Sequence, residues 1–257
     1  TFSARGKVLL ETRNGVTKKT VGNPLDLLAR RFPSRPTLVP GLPRFEGGLV
    51  GYVGYDAVRY MERLPKPPRD DRGLPDLFFM LADTVLVFDH VTRKAALLHA
   101  GGTSERRDLR AEVVRALHAR IMTPPPSRSA DRVRASLDHD AFLAAVERAK
   151  EAIRAGDVFQ LVLSVRFAAA FAGDAFSVYR ALRILNPSPY SFFVRIGDTE
   201  IVGSSPEALV KLQGRDAALR PIAGTRPRGR DDEEDAAFER ELLADPKEAA
   251  EHVMLVD

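Results

Sequence analysis

The sequence predicts an α+β protein with largely antiparallel sheets. An amphipathic helix over 138–155 is followed by a run of short strands joined by turn residues, and then by further helix, an order that does not suit alternating parallel βαβ units. The N-terminal third opens with another hairpin pattern, two strand-like stretches around Asn14-Gly15. No short-period repeat points to a solenoid.

In chain order, Lys7 to Glu11 alternates, and Asn14-Gly15 is a two-residue turn leading into a strand over 16–21. Asn23-Pro24 reads as an N-cap followed by proline at the first helical position, opening a helix to about Phe32. After a Pro-rich loop over 33–43, glycine and apolar residues interleave from Glu46 to Tyr55. That pattern fits a strand closely approached by another backbone, either at a ligand or in a sheet crossing. Short strands are expected over 77–82, 85–88 and 95–99, then a helix capped by Ser104 and running to about Ile121. The prolines at 124–126 prevent both helix and ladder pairing. A domain boundary is therefore expected near residue 125, separating regions 1–125 and 126–257.

Beyond it, Phe142, Val146, Ala149 and Ile153 form one stripe of the 138–155 helix, which Gly156 closes. A strand is expected over 158–167, with Val158, Gln160, Val162, Ser164 and Arg166 on one face. A helix over 176–185 ends at Asn186-Pro187. Strands follow over 192–196, 201–203, 209–212 and 217–219, with hairpin turns at Asp198-Thr199 and Gly214-Arg215.

Composition bounds the chemistry. The 257 residues, 44% apolar, can fill one large domain or two modest ones. Without cysteine there is no disulfide, thiolate metal site or cysteine nucleophile. No stretch approaches the roughly 20 apolar residues of a membrane span, and no signal-peptide pattern opens the sequence, so a cytoplasmic protein is expected. The net charge is +4, but arginines are interleaved with acids rather than clustered, which argues against nucleic-acid binding.

Several residues could carry chemistry. Gln160, Ser164 and Arg166 make their strand face polar, which suits a site or a solvated sheet surface. Glu207 follows Gly203-Ser204-Ser205-Pro206, a turn from whose end a carboxylate projects as a possible general acid. Pro221 to Arg226 offers backbone N–H groups around Gly224 and the Thr225 hydroxyl, a possible anion-binding nest, without P-loop spacing. Asp245 and Pro246 begin a helix that places Glu248 at the third position, as in a capping box, and Glu251 one turn further along. Glu251 has no such structural role and is the better ligand for a divalent cation, with Glu248 beside it.

Gly156-Asp157-Val158-Phe159-Gln160, Asn186-Pro187-Ser188-Pro189-Tyr190, Gly203-Ser204-Ser205-Pro206-Glu207, Pro221-Ile222-Ala223-Gly224-Thr225-Arg226 and the run Lys247 to Asp257, taken in this order, closely resemble the chorismate-utilising enzymes, and within them the large subunits of anthranilate synthases. Gly47-Gly48 through Tyr60 and Phe88-Asp89-His90 extend the resemblance, so that it covers nearly the whole chain. It implies a layered α/β/β/α fold with orthogonally packed sheets, present here only in part. Region 1–125 would be the regulatory or partner side, and region 126–257 the first part of the catalytic domain, cut at Asp257.

The resemblance also implies roles. Chorismate would lie over Gly224 and Thr225, beside Ala223. Mg²⁺ would bridge Glu251 and the substrate carboxylate, with Glu248 close by. Glu207 would act as general acid, ammonia would add to the ring, and loss of pyruvate would give anthranilate. A glutamine amidotransferase subunit would supply the ammonia in a hetero-oligomer. Isochorismate-forming relatives carry a lysine base where this chain has Gln160, and aminodeoxychorismate synthases typically carry a nucleophilic lysine in place of Ala223. Both positions favour anthranilate over these sister reactions; a non-catalytic regulatory module is the reading from another class. Pro189, Tyr190 and Ser191 occupy the feedback positions for L-tryptophan, with Ser191 replacing the methionine usual there. The expected histidine, tyrosine, arginine and second metal glutamate of such a site would follow Asp257, so the 257 residues alone are expected to be inactive.

Overall fold

A computed structural model describes residues 1–32, 45–121 and 132–257. The expected proline-rich loop and linker lie outside these residues, as does the position of the expected domain boundary. The chain divides into two compact units, Thr1–Ile121 and Met122–Asp257.

The first unit is built on a five-stranded antiparallel sheet in the order β3-β2-β1-β5-β4. Its strands are β1 (Phe2–Arg5), β2 (Val8–Arg13), β3 (Val16–Val21), β4 (Gly48–Val53) and β5 (Leu77–Ala82). Asn14 and Gly15, at φ 49° and 77°, make the β2–β3 turn, matching the two positive φ values that a right-twisted two-residue hairpin requires. The sequence reading missed β1: its four residues are too few for a period to stand out, yet Phe2 and Ala4 point into the core. Helix α1 (Pro24–Arg31) starts at Asn23, whose side chain accepts from the Leu25 N–H at 3.0 Å. It lays Leu28 on Phe2, Leu9 and Leu77, and Phe32 packs edge-on against Phe2 at 5.4 Å.

Gly51 in β4 has no space for a Cβ, because the Phe78 carbonyl of β5 occupies it. The close approach expected of the glycine-rich stretch is made by the backbone of β5, its neighbour in the same sheet. A 3₁₀ turn over Tyr55–Tyr60 follows, and Tyr60 donates to Asp76 at 2.7 Å. Strands β6 (Thr84–Asp89) and β7 (Lys94–His99) form a separate hairpin. Helix α2 (Thr103–His118) begins after Gly102 rather than at a Ser104 cap, since Glu105 turns back to accept the Gly102 N–H at 3.0 Å.

The second unit departs from expectation at one place that matters. The segment 158–166 is not a strand: only β8 (Arg134–Ala135) and β9 (Phe167–Ala168) pair. A strand persists only where a neighbour completes its backbone bonds, and among the described residues only Arg134 to Ser136 do so here. Helix α3 (His139–Ala155) lies between them. Asp138 caps it by accepting from the Ala141 N–H at 2.8 Å, and Gly156 closes it in the left-handed region. Of its stripe, Phe142, Val146 and Ala149 are half-buried, whereas Ile153 is exposed.

Helix α4 (Ala175–Leu185) starts at Asp174 and stops at Asn186. It rests on the hairpin of β10 (Tyr190–Ile196) and β11 (Thr199–Ser205), where Phe176 meets Phe193 edge-on at 5.3 Å. The hairpin turn is Gly197-Asp198, one residue earlier than expected, because Gly197 supplies the positive φ. Strands β12 (Lys211–Gln213) and β13 (Asp216–Ala218) pair around Gly214-Arg215 as expected, each displaced from its expected range. Helices α5 (Asp232–Ala244) and α6 (Pro246–Val256) complete the unit.

Candidate active site

Asp245 ends α5 and begins α6. Its carboxylate accepts from the Lys247 and Glu248 N–H groups at 3.0 and 3.3 Å, filling two of the donor positions that a helix start leaves open. Those two contacts, the Glu248 N–H foremost, hold its pKa below the usual carboxylate range, with Arg226 contributing. The reciprocal half of the expected capping box is absent, because the Asp245 N–H donates to Leu242 instead. Glu248 is therefore free of a capping duty, and its side chain turns toward the chain before α5.

There it meets Gly224. A Cβ on Gly224 would lie 2.7 Å from the Glu248 Cδ and closer still to Oε2, so only glycine lets this carboxylate lie against the backbone. The segment is not the nest read from sequence. Residues 221–229 run without regular structure and Gly224 has no positive φ, whereas a nest needs alternating backbone handedness. Ala223, Gly224, Leu242, Leu243, Glu248, Ala249, His252 and Val253 line a largely apolar cavity of about 350 Å³. That falls within the size of small-molecule sites.

Arg226 ties this corner together. Its guanidinium donates to Glu241 at 2.8 Å and to Asp245 at 3.0 Å, and it stands 4.0 Å from the Glu248 carboxylate. Glu241 first, then Asp245, raise its pKa above the ordinary arginine value. The sequence reading quoted Arg226 only as part of a motif and missed this role; its carboxylate partners lie 15 and 19 residues away, beyond any local pattern.

A second grouping surrounds Glu207, which is half-buried just after β11. The Ser205 hydroxyl donates to the Glu207 carbonyl at 2.9 Å and accepts its N–H at 3.4 Å, fixing the turn. The hairpin register sets Tyr190 opposite Ser205 and Ser191 opposite Ser204. The Ser191 hydroxyl donates to the Ser188 carbonyl and lies 3.3 Å from the Ser204 hydroxyl, which itself donates to Asn186. Ser188 also donates to the Ser205 carbonyl. The Pro189–Ser191 stretch is thus joined to the Glu207 turn by hydroxyls.

Other expected site residues fall outside these groupings. Gln160 is exposed in the non-strand segment, so the polar strand face assigned to it does not form. Thr225 is exposed, and Glu251 is half-buried one turn beyond Glu248. Among the described residues no three acidic or histidine side chains cluster as a ready-made metal cage. Two carboxylates one helical turn apart nevertheless suit Mg²⁺, which is commonly held by one or two protein carboxylates together with substrate oxygens.

The model of the chorismate binding enzymes matches residues 10–257. The chain belongs to that family. It is 41% identical to anthranilate synthase component 1 of Acetivibrio thermocellus, a similarity covering 99% of this chain and 55% of that protein. With component 1 of Thermus thermophilus the identity is 46%, over 96% and 54% of the two chains. The crystal structure of anthranilate synthase component I from Streptococcus pneumoniae TIGR4 superposes with a TM-score of 0.81 at 34% identity, covering all of this chain and 59% of that one. The α+β chorismate-utilising fold is therefore shown for this family member, which spans about half the length of the relatives it matches. No described helix is long and apolar enough to cross a membrane.

Proposed function

We propose that the full-length protein is the large subunit of a cytoplasmic anthranilate synthase. It would take chorismate and ammonia to anthranilate, pyruvate and water in tryptophan biosynthesis. A glutamine amidotransferase subunit would release the ammonia. The observation that carries this reading is the Ala223-Gly224 backbone set against Glu248 beside a cavity of about 350 Å³, in a chain 41 to 46% identical to anthranilate synthase components 1.

Chorismate lies over Ala223, Gly224 and Thr225. Glu207, held by the Ser205 hydroxyl, protonates the departing C4 hydroxyl while ammonia forms its bond at C2. Removal of the C2 proton then breaks the C3–oxygen bond, and the enolpyruvyl group leaves as pyruvate after protonation. Glu251 and Glu248 would hold Mg²⁺, which would supply the positive charge that neutralises and orients the ring carboxylate. Ala223 carries no amine for a covalent route and Gln160 no base for hydration, which supports this product over the aminodeoxychorismate and isochorismate branches. Pro189, Tyr190 and Ser191 are the proposed contacts for inhibitory tryptophan. The reading expects no turnover from the 257 residues alone.

The ligand assignment is tested in the full-length protein by Glu251→Gln, measured as anthranilate fluorescence against Mg²⁺ concentration. Loss of Mg²⁺-dependent turnover is expected. An unaltered Mg²⁺ requirement would refute the assignment.

A further inference from the structure

Arg226 makes an unusual set of contacts for a loop residue. Its side chain is 21% exposed and serves three acidic groups on three pieces of chain: Glu241 near the end of α5, Asp245 at the α5–α6 junction, and Glu248 in the first turn of α6. It also donates to the Thr225 carbonyl at 3.2 Å, which holds it to its own segment. A planar guanidinium can engage separate carboxylates in fixed directions at once, whereas an ammonium acts as a single point charge. Helix capping by Asp245 and the contact of Glu248 with Gly224 also help to locate the start of α6.

We propose that Arg226 is a positioning residue that sets where the Glu248 carboxylate lies relative to the Ala223-Gly224 backbone, by clamping the α5–α6 junction onto that segment. The proposal rests on the reading that Gly224 and Glu248 belong to the chorismate and Mg²⁺ site. Arg226 touches neither reactant in this account; it acts through Asp245 and Glu248. Surface ion pairs are individually weak, so its value lies in direction rather than in global stability. Groups that orient metal ligands typically influence metal affinity by about 10- to 100-fold.

The test uses the full-length protein with Arg226→Gln and Arg226→Lys. Amide hydrogen exchange across 246–256 reports the placement of α6 without reference to activity, and calorimetric titration with Mg²⁺ alone reports the carboxylates. Arg226→Gln is expected to speed exchange in α6 and weaken Mg²⁺ binding by about tenfold, with a thermal midpoint close to wild type. Arg226→Lys should fall between, because lysine cannot span Glu241 and Asp245 together. Unchanged exchange, or Mg²⁺ binding that stays equal or tightens in Arg226→Gln, would overturn the proposal. So would full recovery by lysine, which would reduce Arg226 to a point charge. If the wild-type protein takes up no Mg²⁺, the metal reading fails, and the exchange measurement still judges Arg226.

Discussion

At the scale of single residues, the site depends on what is missing from one of them. Gly224 is not needed for backbone freedom, since its φ is not in the left-handed region; it is needed because the Glu248 carboxylate occupies the place of its side chain. Adding a methyl group there should displace a flexible carboxylate rather than strain the chain. Gly224→Ala is therefore expected to leave the thermal midpoint within a few degrees of wild type while raising the Mg²⁺ concentration needed for half-maximal turnover about tenfold. Titration of activity against Mg²⁺, alongside thermal unfolding, checks both halves. A variant that unfolds but keeps its Mg²⁺ requirement would show that Gly224 serves packing alone.

At the scale of elements, capping determines where the site helix begins. Asp245 has a lowered pKa, so it stabilises the folded state fully above the ordinary carboxylate value of about 4. That contribution is lost as pH falls through this value toward the lower folded one. Asp245→Ala should lower the thermal midpoint by a few degrees at pH 7, and the difference from wild type should shrink steadily below pH 4. A difference independent of pH would count against the cap. The first unit contains the opposite case. Burial, then the hydrogen bond to Asp76, push the Tyr60 phenol pKa well up. Its contribution is present below the ordinary phenol value of about 10 and is lost as pH rises above it, because the unfolded chain then ionises first. Thermal midpoints of Tyr60→Phe and wild type should converge above pH 10; a constant gap would contradict this.

Elements with strong local signals were readable from sequence. Asn14-Gly15, Asn23-Pro24, Asp138 with Gly156, and Gly214-Arg215 all sit where their backbone preferences put them. The expected strand over 158–167 had a persuasive alternation, but alternation cannot show whether a neighbour will pair with it. The nest at Gly224 failed for a related reason: a glycine marks either an unusual φ or a close approach, and the sequence does not say which. Glu207, Gly224 and Glu248 stood out as candidate site residues through motif order. Arg226 was not, because its partners come from a helix and a junction much later in the chain.

At the scale of the whole molecule, a family member spanning about half the length of its relatives presents two units, each with its own antiparallel sheets. The buried apolar residues of the described chain all belong to the first unit, whose five-stranded sheet and α1 enclose Phe2, Leu9, Leu28 and Leu77. The second unit carries Glu207, the Gly224–Glu248 contact and Arg226, and so holds the chemistry of the account. Its central claim is the choice of nucleophile and product, which rests on Ala223 and Gln160 lacking the amines of the sister reactions. The direct measurement is product analysis of the full-length protein incubated with chorismate, Mg²⁺ and ammonium. The account predicts anthranilate and pyruvate in equal amounts; isochorismate, or an aminodeoxychorismate that retains its enolpyruvyl group, would contradict it.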